Sequence, residues 1–315
     1  MISLLFQQVL TGLANGGIIA LIALGYTMVY GVVELINFAH GDVFMLGAFL
    51  ALTIVGLLGA PFVAEHPALC LSLLFVVVPL GCGSINLLID RLAYQPLRSA
   101  PRLVVLVSAI GVSYILLNIG LFWGGVPMEV FNGGVSASAP KDFPSLISSA
   151  PLLSNSDLYI SFRDLFVFCV TIPLLISLSL LVNRTRFGRS MRAVAQDPIA
   201  AQLCGIHSDT VIRWTFFLGG ALAGFASVVY ALYNNTIFFQ MGYRVGLDAF
   251  TAAVLGGIGS LAGACMGGLA IGLIRALSDQ FIATSWTNAV VFSVLILILL
   301  FRPSGILGRS FREKV

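Results

Sequence analysis

Charged residues are scarce in this sequence of 315 residues. Only 9% are Asp, Glu, Lys or Arg, whereas 59% are hydrophobic, and the mean hydropathy is +1.03. A soluble domain carries about 25% charged residues, so this chain has too few to cover the surface of a water-soluble globule. The scarcity excludes a soluble enzyme, a nucleic-acid-binding domain and a disordered chain, and it leaves a polytopic membrane protein.

Motifs of common active sites are also missing. The two lysines, Lys141 and Lys314, do not belong to a G-x-x-x-x-G-K-[ST] loop, which would bind ATP phosphates. The three histidines are dispersed, no H-E-x-x-H or G-x-S-x-G is present, and the five cysteines form no C-x-x-C pair. We therefore expect no enzymatic activity, cofactor, metal site or disulfide framework in this chain. The net charge of +3 is too small to indicate a nucleic acid as a partner.

Long apolar runs dominate the rest of the sequence. A helix that crosses about 30 Å of hydrocarbon needs roughly 20 apolar residues, and several uncharged runs meet or approach this length. They are continuous rather than alternating, which favours helices over a membrane β-barrel. The runs are 9–33, 43–58, 68–89, 103–124, 165–182, 214–234, 249–274 and 280–301. We therefore predict a single all-α polytopic membrane domain over 1–315, with about 8–10 transmembrane helices including broken or re-entrant segments.

Basic residues mark one side of the membrane. Most of the sixteen Lys and Arg residues lie in the stretches 91–102, 183–213 and 302–315. Loops rich in Lys and Arg stay in the cytoplasm, so these three stretches are predicted to face it. The segment 125–164 has few cations and is rich in Pro, Ser and Gly, and it is predicted to be an outside loop.

The order of these sides constrains both ends of the chain. From the inside stretch 183–213, one crossing at 214–234 leads outside. With one crossing each at 249–274 and 280–301, the basic tail would then end outside. Residues 248–277 must therefore supply an even number of crossings. They form either two short spans or a re-entrant hairpin broken at Gly256-Gly257-Ile258-Gly259-Ser260. Nothing before Arg91 is basic, so the N-terminal end stays open. Two full spans there place the N-terminus outside, and a broken, re-entering second helix allows it inside.

Polar residues interrupt the first apolar region. Glu34, Asn37, His40 and Asp42 lie there beside Gly41, which lets the backbone break. An ionisable group at membrane depth costs roughly 2.5–3.5 kcal/mol and usually pairs or lines a water-filled path. One interpretation is a gate or pathway lining, and the other is a solvated loop between two helices. As a proton relay, Glu34, His40 and Asp42 would instead make the chain a stand-alone ion- or proton-coupled carrier.

A short capped helix is predicted inside the second basic stretch. Asp197 suits its N-cap, Pro198 its first turn and Gly205 the position after its last turn. Ile199 and Leu203 are four residues apart and share one face. Connections between packed elements usually need only about 2–8 residues. The apolar face favours docking of another protein, and the alternative is a helix lying flat on lipid headgroups beside the preceding arginines.

Further motifs lie in residues 10–53, 185–206 and 246–276. They are Asn15-Gly16, Ala23-Leu24-Gly25-Tyr26, Ile36-Asn37-Phe38-Ala39-His40-Gly41-Asp42, Asp248, Ala252-Ala253-Val254-Leu255-Gly256-Gly257-Ile258-Gly259-Ser260 and Gly263. With these motifs the chain resembles the permease subunits of ABC importers for branched-chain amino acids, and most closely the shorter of the two paralogous permeases in such systems. The resemblance covers nearly the whole chain.

The resemblance implies a set of partners. A second, paralogous permease would pair with this chain in the bacterial inner membrane, two ATP-binding subunits would bind from the cytoplasm, and a periplasmic binding protein would deliver the substrate. Residues 183–213 would be the cytoplasmic coupling loop and 125–164 the periplasmic loop. The implied coupling residues are Arg189, Arg192, Asp197, Pro198, Ile199, Ala200, Ala201, Leu203 and Gly205. The implied pathway or gate residues are Asn15, Asn37, His40, Gly41, Asp42, Gly256, Gly257 and Gly259.

The substrates that the resemblance implies are Leu, Ile and Val, which no residue of the chain specifies. Most selectivity in such importers lies with the binding protein. Related permeases resemble transporters of urea or short amides, and that is the alternative within the same fold. The ion- or proton-coupled carrier remains the alternative of a different class.

Overall fold

The computed structural model describes residues 2–34, 37–98, 100–148, 150–155, 158–302 and 304–308. The α-helices are α1 Ile2–Val33, α2 His40–Leu58, α3 Ala60–Glu65, α4 Pro67–Ile89, α5 Arg102–Gly124, α6 Phe162–Arg184, α7 Arg186–Gln196, α8 Pro198–Leu203, α9 Ser208–Asn234, α10 Met241–Gly256, α11 Leu261–Phe281 and α12 Thr287–Phe301. α4 continues into a π-turn, Asp90–Tyr94, and a 3₁₀ turn, Gln95–Leu97. The strands are β1 Lys141–Asp142, β2 Pro151–Asn155, β3 Leu158–Ser161 and β4 Thr236–Ile237, and β1 pairs with β4 and β2 with β3, both antiparallel.

Most of these helices have the length of membrane spans. Within the described residues, seven helices are long and apolar enough to cross a membrane, namely α1, α2, α4, α5, α6, α9 and α11. The shorter α10 and α12 pack against α11. The predicted all-α polytopic fold is therefore confirmed. α1, α2 and α9 form the buried centre of the bundle, whereas α5 and α6 expose most of their apolar surface, as helices in contact with lipid do.

The two ends of the bundle differ in charge. One end carries the turns that follow α4 together with α7 and α8, and we call it the arginine-rich end. Its arginines include Arg91, Arg98, Arg186, Arg189 and Arg192. The opposite end, which we call the loop end, carries the segment between α5 and α6 with β1, β2 and β3.

α1 runs from the loop end to the arginine-rich end. Near its start it contacts β3, and Gln8 Nε2 donates to Gln280 Oε1 of α11 over 2.9 Å. Its last residues, Val32 and Val33, share a cavity with Arg98. The orientation that the charge pattern leaves open is thereby fixed, and α1 begins on the side opposite to the arginines.

α1 and α11 pack antiparallel through glycines, and they form the largest helix–helix contact of the bundle. Gly272 faces Gly16, and Gly268 faces Ala20. A Cβ at Gly268 would lie 2.5 Å from the Ala20 Cα, so the backbones touch directly. Small residues permit such contacts in membranes, where no hydrophobic force pushes helices together and van der Waals packing has to suffice.

α2 begins in the middle of the bundle. Its residue Asp42 accepts a hydrogen bond from Ser113, which lies at the midpoint of α5. Its last turn reaches the loop end, where Gly56 packs against Val130. The chain therefore returns to mid-depth before α2 starts, and Leu35 and Ile36 of this connection lie outside the described residues. The charge pattern pairs a broken second helix with an N-terminus on the arginine-rich side. In the structure the second helix is broken, but the N-terminal end of α1 lies on the loop side.

α10 and α11 form the predicted hairpin. The chain breaks at 257–260, where Gly257 and Gly259 have φ of +102° and +91°, which favours glycine. The break lies at the arginine-rich end, because Gly259 packs beside Gly31 in the last turns of α1. α10 and α11 thus form the predicted broken hairpin, and of these two helices α11 alone is long and apolar enough to count as a candidate span. The end of α10 is closed by a later segment, since Ile306 N–H donates to the Leu255 carbonyl over 2.9 Å and Leu307 N–H to the Gly256 carbonyl over 3.0 Å.

Both loops are shorter than their predicted bounds. α6 begins at Phe162 after a capping box formed by Ser161 and Asp164, so 162–164 belong to a helix. α9 begins at Ser208, so 208–213 are helical as well. Polar residues cap and prolong these helices beyond the apolar runs from which the bounds were predicted. The predicted basic tail residues Arg309, Arg312 and Lys314 lie outside the described residues.

Lys141 organises the loop end. It is fully buried, and its Nζ donates to the carbonyls of Phe131 over 3.0 Å and Ser136 over 2.7 Å. Burial lowers the pKa of this ammonium group. The loop between α5 and α6 is therefore a folded cap and is joined to the bundle through the β1–β4 pair.

Candidate functional site

Polar side chains from several helices meet where α2 begins. We call this group the central polar cluster, and its members are Asn37, His40, Asp42, Asn86, Tyr94 and Ser113. Asn37 is its hub, because Tyr94 donates its hydroxyl to Asn37 Oδ1 over 2.7 Å and Asn37 Nδ2 donates to Asn86 Oδ1 over 3.3 Å. Asn86 in turn donates to the Phe216 carbonyl of α9 over 2.6 Å. The break between α1 and α2 is thus held by α4 and its π-turn.

His40 and Asp42 are buried with part of their hydrogen-bonding capacity unused. His40 is 1% exposed, and its ring packs against Gly25 of α1, which the Gly219 carbonyl of α9 also approaches. Its ring packs edge-on against Tyr26 at 4.6 Å between centroids. Both ring nitrogens of His40 and Oδ1 of Asp42 have no hydrogen-bond partner among the described residues. Buried polar atoms of this kind are rare, because each costs free energy when unpaired, and they make this cluster a candidate functional site.

Gly41 brings α2 against α10. A Cβ at position 41 would lie 2.4 Å from the Gly242 carbonyl oxygen and 2.9 Å from the Gly246 Cα. Only glycine permits this approach of the two backbones. The predicted pathway residues Asn37, His40, Gly41 and Asp42 are therefore brought together, at mid-depth and not in a solvated loop.

The other predicted pathway residues lie elsewhere. Asn15 is half-buried in α1, ten residues before Gly25, which places it about 15 Å along the helix from His40. Gly256 and Gly257 are buried at the arginine-rich end, whereas Gly259 is exposed there. These residues are spread along the bundle from one end to the other, so they do not form one site with the central polar cluster.

α8 projects from the arginine-rich end and is capped as predicted. Asp197 Oδ1 accepts from the N–H groups of Ile199 over 2.8 Å and Ala200 over 3.0 Å, and Gly205 has φ of +82° after the last turn. Ile199 is 71% exposed and Leu203 is 86% exposed. The prediction of an exposed apolar face is confirmed. Large apolar side chains at an aqueous end of a membrane protein indicate an interaction surface.

A second helix of this region, α7, is not predicted from the sequence. Thr185 caps it by accepting from Gly188 N–H over 3.0 Å, and Met191 and Val194 bury one face against the bundle. The opposite face exposes its arginines, and Arg192 also donates to the Val182 carbonyl at the end of α6. The arrangement of basic and apolar faces is typical of a helix at the membrane surface. The spacing of Gly188, Met191 and Val194 within the arginine stretch is the signal for it.

A cavity of about 660 Å³ lies between α8 and the bundle. Its lining includes Glu34 at the end of α1, Arg98 after α4, Pro198 and Ile199 of α8 and Asp209 of α9. Arg98 and Asp209 are joined by an ion pair across this cavity. The cavity therefore separates the exposed helix α8 from the last turn of the central helix α1.

Arg98 is the charged centre of the arginine-rich end. Its Nη2 lies 2.9 Å from each carboxylate oxygen of Asp90, whose side chain is completely buried in the π-turn, and its Nη1 donates to Asp209. These three residues are absent from the functional residues predicted from the sequence. Asp90 is visible there only as an acidic residue next to a basic stretch, which an exposed loop explains equally well.

An ion pair also joins α10 to α11. Arg275 of α11 donates to Asp248 of α10 and, over 3.2 Å, to Asn288 of α12. The carboxylate of Asp248 is nearly buried. A pair at this depth fixes the register of the hairpin, because separating it would leave a buried charge unpaired.

Comparisons with known proteins give a consistent result. The family model described as branched-chain amino acid transport system, permease component, matches residues 8–300. The high-affinity branched-chain amino acid transport system permease protein BraD of Pseudomonas aeruginosa is 39% identical over 312 residues, which cover 98% of this chain and 97% of that protein. The corresponding permease protein LivH of Escherichia coli K12 is 38% identical with the same coverage. No solved structure matches this chain.

A more distant relative is matched over most of its length too. The probable branched-chain amino acid transport permease protein LivH of Methanocaldococcus jannaschii is 30% identical over 305 residues, or 94% of this chain and 90% of that protein. The similarity thus extends through the central helices, α7, α8 and the α10–α11 hairpin.

Proposed function

The chain belongs to the family of permease components of branched-chain amino acid transport systems, and from this membership we propose that it is the membrane-spanning permease subunit of an ABC importer for Leu, Ile and Val. It is a multi-pass protein of the inner membrane, and it acts as a conduit rather than an enzyme. ATP hydrolysis takes place on separate subunits, since no phosphate-binding loop is present in the sequence.

The observation that carries the proposal is α8. Ile199 and Leu203 are held outward on a capped helix at the arginine-rich end, and the arginines precede this helix rather than line it, which favours a protein partner over lipid headgroups. Burying side chains of this size yields about 1.5–3 kcal/mol each, which suffices to anchor a docking contact. We infer that residues 197–205 insert into a groove of an ATP-binding subunit, with the exposed Arg189 and Arg192 beside it.

The remaining partners follow from the two ends of the bundle. Two ATP-binding subunits bind at the arginine-rich end, which is the cytoplasmic side according to the distribution of arginines. A periplasmic binding protein delivers the substrate at the loop end, onto the folded cap between α5 and α6. A second, paralogous permease completes the transmembrane unit as a heterodimer.

The central polar cluster lies on the proposed pathway. His40 and Asp42 offer unpaired polar atoms at mid-depth, which suits the passage of a zwitterion such as an amino acid. Gly256, Gly257 and Gly259 flank its cytoplasmic end and Asn15 its outer half. Closure of the ATP-binding subunits moves α8 and switches the helices from inward-open to outward-open.

The carrier alternative has less support. Glu34 is exposed at the arginine-rich end, whereas His40 and Asp42 are buried at mid-depth, so the three do not form a continuous proton relay. Urea or short amides as substrates would use the same fold. The full-length relatives named for branched-chain amino acids favour the proposed substrates.

The test uses the permease co-expressed with its partner subunits and purified through a tag. Ile199→Arg and Leu203→Arg are each expected to lower the amount of co-purified ATP-binding subunit at least tenfold, because a charge replaces the docked side chain. Val135→Arg is the matched control, since Val135 is 87% exposed at the loop end. Its replacement is expected to leave the amount of co-purified ATP-binding subunit unchanged. Ala201 is unsuitable for this test, because it lies on the buried face of α8.

Two results would overturn the proposal. One is undiminished ATPase recovery with Leu203→Arg. The other is uphill leucine uptake by the chain alone in proteoliposomes under a proton gradient, which would establish the carrier instead.

A further inference from the structure

We propose that Arg98 is the positioning residue that transmits the displacement of α8 to the central polar cluster, through its simultaneous contacts with Asp209 of α9 and Asp90 of the α4 π-turn. The inference rests on the proposed function, because it assigns a role to Arg98 in coupling ATP hydrolysis to transport. It follows a continuous series of contacts from the surface of the arginine-rich end to mid-depth.

The first step joins α8 to α9. Ser208, the first residue of α9, donates its hydroxyl to the Pro198 carbonyl over 3.0 Å. Ile206 N–H donates to the Ala201 carbonyl over 3.0 Å, so the connection between the helices folds back onto α8. A force on α8 is therefore delivered to the first turn of α9.

The second step joins α9 to α4 across the cavity. Asp209 is the residue after Ser208, and it pairs with Arg98 Nη1. The neighbouring nitrogen, Nη2, lies 2.9 Å from each oxygen of Asp90, whereas Nε has no hydrogen-bond partner among the described residues. Each terminal nitrogen of the guanidinium thus bonds one carboxylate, and the planar group fixes the angle between the two partners.

The two halves of this connection differ in burial. The side chain of Asp90 is completely buried, so the Arg98–Asp90 pair persists, because its loss would leave an uncompensated buried charge. The side chain of Asp209 is 62% exposed, and exposed pairs are weak enough to open and close. The Asp209–Arg98 contact is thus the part that can have two states during a transport cycle.

The third step leads into the bundle. The π-turn that begins at Asp90 ends at Tyr94, which donates to Asn37 Oδ1. π-turns inside helices are sites of local rearrangement and are frequent at functional sites. A shift of Asp90 therefore reaches the Asn37 hub and the break before α2. A second link between the same elements, Arg213 Nη2 to Gln95 Oε1 over 3.2 Å, holds α9 near α4 when the ion pair is open.

The experiment uses the complete transporter with its partner subunits in proteoliposomes, and it measures leucine molecules taken up for each ATP hydrolysed. Asp209→Asn removes the exposed charge and leaves Arg98–Asp90 intact, so normal assembly is expected. We expect at least a fivefold fall in uptake for each ATP hydrolysed, with unchanged recovery of ATP-binding subunits. Asp209→Glu restores the charge and is expected to restore most of the ratio.

Arg91→Gln is the matched control, because Arg91 lies in the same π-turn with its side chain exposed. It is expected to keep the wild-type ratio. The inference is overturned if Asp209→Asn keeps that ratio within twofold, or if Arg91→Gln lowers it equally. Failure of the proposed function is distinguishable, since the wild-type complex would then lack ATP-dependent uptake altogether.

Discussion

Gly272 of α11 lies directly against Gly16 of α1, so close that a Cβ at position 272 would be 2.3 Å from the Gly16 Cα. The atoms that such a Cβ would meet, in Gly16 and Gly12, belong to the backbone, which cannot move aside as a flexible side chain can. The glycines at this contact therefore let α1, the central helix of the bundle, lie directly against α11. The position of α1 beside the central polar cluster, through which we propose that the substrate passes, depends on this contact.

Gly272→Val is expected to destabilise the protein by about 2 kcal/mol or more, because overpacking forces the two helices apart. Thermal unfolding of the detergent-solubilised protein measures the effect. Gly111→Ala is the control, since a Cβ at this α5 position meets nothing within 4 Å. A Gly272→Val protein as stable as Gly111→Ala would contradict the tight seam.

Cysteine accessibility is expected to separate Glu34 from the residues that follow it. In a background without the exposed Cys169 and Cys204, Glu34→Cys should react with a water-soluble maleimide at least ten times faster than Asn37→Cys or His40→Cys. Asn37 and His40 are buried at mid-depth, whereas Glu34 is exposed at the arginine-rich end. Uniform labelling from 34 to 42 would show that this segment is a solvated loop.

Replacing one partner of the Asp248–Arg275 pair is expected to lower stability more than replacing both partners. Arg275→Met leaves the Asp248 carboxylate buried and alone, which costs about 3–5 kcal/mol. The double variant Asp248→Leu/Arg275→Met removes both charges, and it should recover most of that loss. Thermal unfolding of the three proteins provides the comparison. A double variant less stable than Arg275→Met would contradict the assignment of a buried pair.

Lys141→Met is expected to loosen the folded cap at the loop end. The substitution leaves the buried Phe131 carbonyl without its donor, which costs about 1–3 kcal/mol, and it also removes the hydrogen bond to the carbonyl of the exposed Ser136. Limited proteolysis of the purified protein should cut the loop between α5 and α6 several times faster than in the unchanged protein. Asp142→Asn, an exposed neighbour on the same strand, serves as the control. Equal cleavage rates for the two variants would rule out a structural role for the buried ammonium.

Much of the helical layout can be predicted from the sequence. Continuous apolar runs predict the spans, arginine stretches predict the sides, and the residues Asp197, Pro198 and Gly205 predict α8. These features are local, because each depends on neighbours within a few residues. The charge pattern also predicts a broken hairpin after α9, and the structure shows the break at Gly257.

The depth of polar residues is not predictable in the same way. Whether His40 and Asp42 face water or the bundle depends on which helix returns beside them, and Ser113 is distant in sequence. The Arg98–Asp90 contact needs the π-turn to bring its partners together, and no local pattern signals that turn. Pathway and coupling residues therefore require the packed structure, since their roles arise between helices.

The closure of α10 by Ile306 and Leu307 has a consequence for biogenesis. The carbonyls of Leu255 and Gly256 leave the ribosome long before the amides that will bind them, and water near the lipid headgroups must satisfy them in the interval. The α10–α11 hairpin is therefore synthesised before Ile306 and Leu307 can bind the end of α10. A chain that is cut before Ile306 would leave these two carbonyls at the end of α10 without their donors.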